Sequence, residues 1–68
     1  MRFNELKIGD QFEFWFDLPG GYSYEKIGNE RVKCLSVPRT EPRKYIGQEY
    51  MLGAARNSMV RLLKREAS

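Results

Sequence analysis

Residues 11–17, with the sequence QFEFWFD, limit the possible folds of this chain more than any other segment. Phenylalanines occupy every second position, at Phe12, Phe14 and Phe16. Such alternation places all three rings on one face of an extended chain, so we predict a strand over residues 11–16 with a phenylalanine core stripe. Trp15 then falls on the opposite face, beside Glu13 and Asp17, as either the lid of a second small core or a contact residue.

The apolar core must stabilise the fold without a disulfide bond or a structural metal. The chain has 68 residues, a single cysteine, Cys34, and no histidine, so neither an intramolecular disulfide nor a structural zinc site is expected. We therefore predict one small domain over residues 1–68 that holds no metal and no cofactor. An unpaired cysteine and the lack of a signal peptide or a long apolar run favour a cytoplasmic protein with no membrane segment.

Turn-forming residues separate four further segments that alternate or carry β-formers. We predict strands over residues 22–27, 31–37, 45–52 and 59–63. Gly28-Asn29 predicts a two-residue hairpin turn with unusual φ, and Gly47 a bulge or bend. The prolines of residues 38–44 predict a loop, because proline has no amide for a central strand. Pro19 to Gly21 predict the end of the first strand and a flexible connection.

Both ends of the chain allow short helical structure. Near the N-terminus we predict one helical turn capped by Asn4, with Leu6 and Ile8 closing one end of the core and a tight turn at Gly9-Asp10. Near the C-terminus, Ser58 fits a helix cap, but a short helix is marginal and four strands would leave an edge exposed. We favour a fifth strand with Val60 and Leu62 inward, followed by a frayed or helical tail.

Five short strands in so few residues predict an all-β barrel or meander. The segments FNELKIGDQFEF, YEKIGN and YIGQEYMLG resemble the opening, the central hairpin and the closing half of small SH3-like barrel proteins of bacteria and phages. That family shares an F-x-x-L-x-x-G-D-x-F opening and a Y-x-K-like hairpin, and its activities are largely uncharacterised. The resemblance implies a five-stranded SH3-like barrel and no particular activity.

Charge is distributed unevenly along the chain. Residues 1–30 carry three basic and six acidic side chains, and residues 31–68 carry nine basic and three acidic ones, for a net charge of +3 and a pI near 9.2. This asymmetry suggests a surface that faces a polyanion. The alternative is that the two halves interleave and acidic strands pair with basic ones.

The sequence offers little for catalysis. Histidine is absent, and Glu13, Asp17 and Glu25 are expected to solvate the surface or pair with lysines. Lys33 faces away from Cys34 in an extended strand, so we predict a core thiol and no activated nucleophile. The protein is therefore predicted to bind and not to catalyse.

Nucleic acid is the leading predicted partner, as DNA or RNA. Small barrels stack bases on exposed aromatic rings in a positively charged groove. The predicted stacking platform is Trp15, Tyr22 and Tyr24. The predicted phosphate contacts are Lys26, Arg31, Lys33, Arg39, Arg43, Lys44, Arg56 and Arg61. Glu13 and Asp17, on the same face as Trp15, would repel a phosphate chain and argue against this prediction.

A protein partner is the alternative. An exposed aromatic surface flanked by acids suits a basic or proline-containing partner, as for a bacterial or phage accessory factor. The same surface suits a homodimer in which Trp15 and Tyr50 cover each other, so a monomer and a homodimer both stay open. A purely structural role for Trp15, packed against Leu18 or Leu62, stays open as well.

Overall fold

The computed structural model describes residues 1–17 and 20–65, which form a single antiparallel sheet of five strands in the order β4-β3-β2-β1-β5. The strands are β1 (Gln11–Phe14), β2 (Ser23–Lys26), β3 (Arg31–Ser36), β4 (Glu49–Met51) and β5 (Val60–Lys64). Helical structure in the described residues is limited to short 3-10 turns at Phe3–Glu5, Trp15–Asp17, Arg43–Tyr45 and Gly53–Asn57. The all-β prediction is confirmed. The sheet is not closed, since β4 and β5 lie at its two edges.

The core lies on one face of this sheet. Its buried side chains are Phe3, Leu6, Phe12, Phe14, Val32 and Val60. Phe12 sits at the centre, with ring centroids 5.5 Å from Phe3 and 5.2 Å from Phe14, both in edge-to-face geometry. Edge-to-face aromatic pairs are favourable beyond the area they bury. A small chain without disulfides therefore obtains its stability from an aromatic cluster.

The phenylalanine stripe is one residue shorter than predicted. Phe12 and Phe14 are buried, but Phe16 is 68% exposed, so its assignment to the core is wrong. The reason is local: β1 ends at Phe14, and the 3-10 turn Trp15–Asp17 breaks the two-residue period. Phe16 instead stacks on the outer side of Phe14, with centroids 4.8 Å apart.

The hairpin between β2 and β3 is confirmed, but its turn is wider than predicted. The amides of Ile27 and Gly28 both donate to the Arg31 carbonyl, at 3.0 and 3.3 Å, so the connection spans residues 27–30. Neither Gly28 nor Asn29 has a positive φ. A longer connection removes the need for the left-handed backbone of a two-residue turn.

The second half of the chain follows the prediction in outline. Residues 37–42 form no strand, in line with their prolines. The fourth strand is shorter than predicted, because Tyr45 lies in a 3-10 turn and Gly47, with φ of 89°, bends the chain before β4. The final segment is a strand and not a helix, with Val60 buried and Leu62 half-buried as predicted.

The N-terminal segment differs from its prediction in two respects. The 3-10 turn Phe3–Glu5 follows Arg2 at its cap position, so Asn4 is not a cap, and the Arg2 amide donates to the Glu5 carboxylate at 2.9 Å. Leu6 closes the core as expected, whereas Ile8 is 67% exposed, because it lies in the turn with Gly9. Predictions on Leu18, Pro19 and the tail after Arg65 lie outside the described residues.

Two charged side chains are buried beside the N-terminal segment. Lys26 donates from Nζ to the carbonyls of Leu6 at 2.7 Å and Phe3 at 3.4 Å, and its Nζ lies 4.7 Å from the centroid of the Phe3 ring. The desolvation of burial lowers the pKa of Lys26, opposed by the nearby Asp10 carboxylate. Lys26 is thus a core residue, and the predicted surface position is wrong because β2 directs it inward with Tyr24.

Candidate functional site

Aromatic side chains line a cavity of about 320 Å³ on the core-facing side of the sheet. Its lining residues are Phe14, Phe16, Asp17, Tyr22, Tyr24, Val32, Tyr50 and Leu52. An adjoining cavity of about 190 Å³ is lined by Tyr22, Tyr24, Cys34, Val37, Glu41, Tyr45 and Tyr50. Because three tyrosines belong to both cavities, the two form one depression, which we call the aromatic groove.

The strand pairing explains why these rings meet. Tyr24 on β2 lies opposite Cys34 on β3, and Tyr50 on β4 lies opposite Val32. Val32 and Cys34 are buried on the same face of β3, so both tyrosines project towards the core side. β4 is an edge strand, and the groove therefore stays open beside it.

The 3-10 turn after β1 completes the wall of the groove. It brings Phe16 onto the open side of Phe14 and places Asp17 next to the tyrosines. Gly21 has a φ of 85°, which residues with a side chain rarely adopt. A Cβ atom added there would lie 3.4 Å from the Cα atom of Pro38, so a larger residue would be both strained and crowded. The 3-10 turn thus places Phe16 and Asp17 in the same cavity wall as the tyrosines.

Each of the two cavities has one carboxylate among its lining side chains, Asp17 in the first and Glu41 in the second. Desolvation raises the pKa of Asp17, and no basic side chain of the described residues lies within ion-pair distance of it. Burial, and then the Asp17 charge, raises the pKa of Tyr24 to about 12. Desolvation, and then the Glu41 carboxylate, raises the pKa of Tyr22. The groove therefore combines neutral phenol rings with negative charge.

A third cavity, of about 320 Å³, adjoins the Glu41 end of the groove. It is lined by Leu35, Ser36, Val37, Pro38, Arg39, Glu41, Arg43 and Ile46. Val37 and Glu41 line both this cavity and the second one. The three cavities thus follow one another from Asp17 to the arginines of the proline-containing loop.

The predicted stacking platform is only partly assembled. Tyr22 and Tyr24 meet in the groove, but Trp15 is not among its lining residues. The Trp15 indole Nε1 donates to the Val60 carbonyl at 3.2 Å, and its amide donates to the Met59 carbonyl at 3.1 Å. Trp15 is 51% exposed and lies against β5, because the turn directs it towards that edge of the sheet.

Three of the eight predicted phosphate contacts lie among acidic residues. Arg61 pairs with Glu13 at 3.3 Å, and Arg56 pairs with Glu30. Lys33 lies opposite both Glu25 and Glu49 on the outer face of the sheet. The acidic and basic halves of the chain therefore interleave, as the alternative interpretation of the charge asymmetry held. The remaining predicted residues, Arg31, Arg39, Arg43 and Lys44, are exposed.

Sequence reasoning missed several residues of the groove. Phe16 was assigned to the core, Asp17 was considered as a neighbour of Trp15 and as a surface carboxylate, and Glu41 was not singled out. Tyr50 was considered only for a dimer. Its place opposite Val32 depends on the register of β3 and β4, which no local pattern reveals. The alternating Tyr22 and Tyr24 were the one direct signal.

Two features of the described residues bear on metal binding and on thiol chemistry. No cluster of three metal-ligating side chains occurs among them. Cys34 is buried, as predicted, and burial raises the pKa of its thiol, which disfavours the reactive thiolate. None of the described 3-10 turns is long and apolar enough to cross a membrane.

Comparison with known proteins adds no relative: no protein-family model, curated protein or solved structure matches the chain at a significant level.

Proposed function

We propose that the protein is a non-catalytic binding module that holds a short basic segment of a partner protein in the aromatic groove. The observation that carries this proposal is the pair of adjoining cavities that share Tyr22, Tyr24 and Tyr50, with Asp17 lining the first and Glu41 the second. Aromatic side chains offer large, rigid contact area, and a neighbouring carboxylate selects a cation.

Size and shape support an extended segment over a small folded ligand. Each of the two cavities is large enough for one or two side chains, and together they form an open depression and not an enclosed pocket. Segments that are extended before they bind, such as proline-containing ones, lose little conformational entropy in aromatic-lined grooves. The partner segment is therefore expected to contain proline beside its basic residue.

Charge supports a protein partner over a nucleic acid. A phosphate backbone on the groove would approach Asp17 and Glu41. Lys26 lies in the core, and Arg56 and Arg61 pair with acids, so three of the residues predicted to contact phosphate are engaged within the fold. A cation in the groove meets negative charge without such a conflict.

We further propose that the open sheet has the SH3-like barrel architecture. Its support is that β1 lies between β2 and β5, so the first and last strands pair and the meander bends back on itself. The bridge between Arg2 and Met59 extends this contact. The proposed location is the cytoplasm, since the unpaired, buried Cys34 suits a reducing compartment.

The test is a binding titration with three matched probes. The first is a fluorescently labelled, amidated peptide of about seven residues, with arginine followed by alternating alanine and proline. The second has glutamine in place of arginine. The third is a single-stranded oligonucleotide, used once as oligothymidine and once as oligouridine. We expect the arginine peptide to bind about tenfold more tightly than the glutamine peptide and the oligonucleotides to bind weakly.

A variant pair locates the site. Asp17→Asn should lower the affinity for the arginine peptide to that of the glutamine peptide. Glu49→Gln, which also removes one carboxylate but lies on the outer face opposite Lys33, should leave the affinity unchanged. Tighter binding of an oligonucleotide than of either peptide would overturn the proposal in favour of nucleic acid. Failure of all probes to bind would exclude the groove as a binding surface.

A further inference from the structure

The aromatic groove continues into a region of opposite charge. The third cavity shares Val37 and Glu41 with the second and adds Arg39 and Arg43. Both arginines are exposed, and among the described residues no carboxylate lies within 4.0 Å of either guanidinium. The adjacent Lys44, with Nζ 5.7 Å from the centroid of the Tyr45 ring, adds a third positive charge at this end.

We call the three adjoining cavities together the binding track. The charged side chains at its two ends therefore differ in sign. Asp17 is the acidic side chain of the first cavity, and the third cavity carries two arginines with Glu41 at its inner boundary. Arginine recognises a carboxylate through a planar pair of donors. A binding track with one acidic and one basic end distinguishes the two directions in which a segment can lie.

We propose that the partner segment is bipolar, with a basic side chain at Asp17 and a carboxylate at Arg39 and Arg43, so that it binds in one direction only. This inference rests on the proposed function, because it describes the same segment in the same groove.

A partner can supply the carboxylate from two sources. One is an aspartate or glutamate side chain within the segment, and the other is a free C-terminus. Both present the same group to the arginines; the inference commits to the first, an acidic side chain within the segment, and a free C-terminus is an alternative outcome of the test. A peptide ending in amidated glutamate represents the first source, and a peptide ending in a free alanine carboxylate represents the second.

The test compares two amidated peptides of the same composition. One begins with arginine and ends with glutamate, the other begins with glutamate and ends with arginine, and both have blocked N-termini and alternating alanine and proline between. We expect the arginine-to-glutamate peptide to bind about five- to tenfold more tightly, because reversal exchanges two attractive pairs for two repulsive ones. The free-carboxylate peptide shows whether a C-terminus serves as well as glutamate.

Variants assign the preference to the arginines. The double substitution Arg39→Gln and Arg43→Gln should lower the affinity for the arginine-to-glutamate peptide to that of a peptide with a neutral end. Arg31→Gln, on the outer face opposite Met51, is the matched control and should change neither affinity. Equal binding of the two peptide directions would overturn the inference and leave the proposed function intact. If neither peptide direction binds, and the arginine peptide with a neutral end does not bind either, the inference and the proposed function are both overturned.

Discussion

The ring of Phe16 stacks on the ring of Phe14 with centroids 4.8 Å apart and an interplanar angle of 14°. Phe14 belongs to the core, whereas Phe16 is largely exposed and forms part of the groove wall. This stack joins the hydrophobic core to the proposed binding surface, because the outer ring packs on the inner one.

Removal of the outer ring should therefore affect binding more than stability. We expect Phe16→Ala to weaken binding of the arginine peptide about tenfold or more, with a loss in unfolding free energy of about 1 kcal/mol or less. The matched control is Ile8→Ala, because Ile8 is equally exposed but lies outside the groove. Urea unfolding and peptide titration on both variants check this prediction; an equal effect of the two substitutions on binding would contradict it.

The affinity for a cation should depend on pH through Asp17. Desolvation raises the pKa of this carboxyl above its ordinary value of 3.8, so protonation begins at a higher pH than for an exposed aspartate. Because the cation is attracted by the ionised form, the affinity for the arginine peptide should fall as the pH decreases through this raised pKa. Titrations from neutral to acidic pH measure this, and Asp17→Asn should weaken the dependence. An affinity independent of pH in the unsubstituted protein would contradict the role of Asp17.

Acid stability should depend on a different aspartate. Asp10 is buried and accepts hydrogen bonds from the Arg65 guanidinium at 3.0 Å and from the Lys7 amide at 2.8 Å. The bond from Arg65, more than any other contribution, lowers the pKa of Asp10. Its stabilisation is therefore present above the unfolded pKa of 3.8 and is lost as the pH falls through the lower folded value.

Asp10→Asn should accordingly reduce the free energy of unfolding by about 2 kcal/mol at neutral pH. The difference from the unsubstituted protein should shrink as the pH falls below about 4. Glu30→Gln is the control, since its pair with Arg56 is largely exposed and surface pairs contribute about 1 kcal/mol at most. Urea unfolding as a function of pH gives the free energy of unfolding of each variant. A difference between Asp10→Asn and the unsubstituted protein that persists at low pH would contradict the assignment.

Two glycines should respond in opposite ways to substitution. Gly47 has φ of 89° and open space around it, so Gly47→Ala should cost about 1 kcal/mol or more from backbone strain alone. Gly28 has no positive φ, and a Cβ built on it makes ordinary 3.6 Å contact with the Arg31 side chain. Gly28→Ala should therefore be neutral or slightly stabilising. Thermal unfolding of the two variants tests this, and a reversed order would contradict the described turn.

The sequence predicted the fold class well because strand alternation is a local property. The stripe of Phe12 and Phe14, the buried Cys34 and the fifth strand at Val60 all follow from short-range patterns and are confirmed. Phe16 and Ile8 were misassigned where a turn interrupted the period, since alternation does not indicate where a strand ends.

The candidate site was harder to predict, because it depends on strand register and on which segments meet in the folded chain. Trp15 was expected beside Tyr22 and Tyr24, yet a single 3-10 turn directs it to β5 and brings Phe16 and Asp17 to the tyrosines. Lys26 was assigned to the surface because a lysine is ordinarily exposed, and its burial depends on carbonyls of the N-terminal segment that lie 20 and 23 residues away in sequence. No local pattern contains that information.

The most direct test of the binding account is a map of the amide chemical shifts that change when the arginine peptide is titrated into isotopically labelled protein. The account predicts that the largest changes fall on Asp17, Tyr22, Tyr24 and Tyr50, and that the amides of Trp15 and β5 change little. Largest changes at Trp15 and along β5, or saturating binding without changes at the tyrosines, would place the partner elsewhere and contradict the central claim.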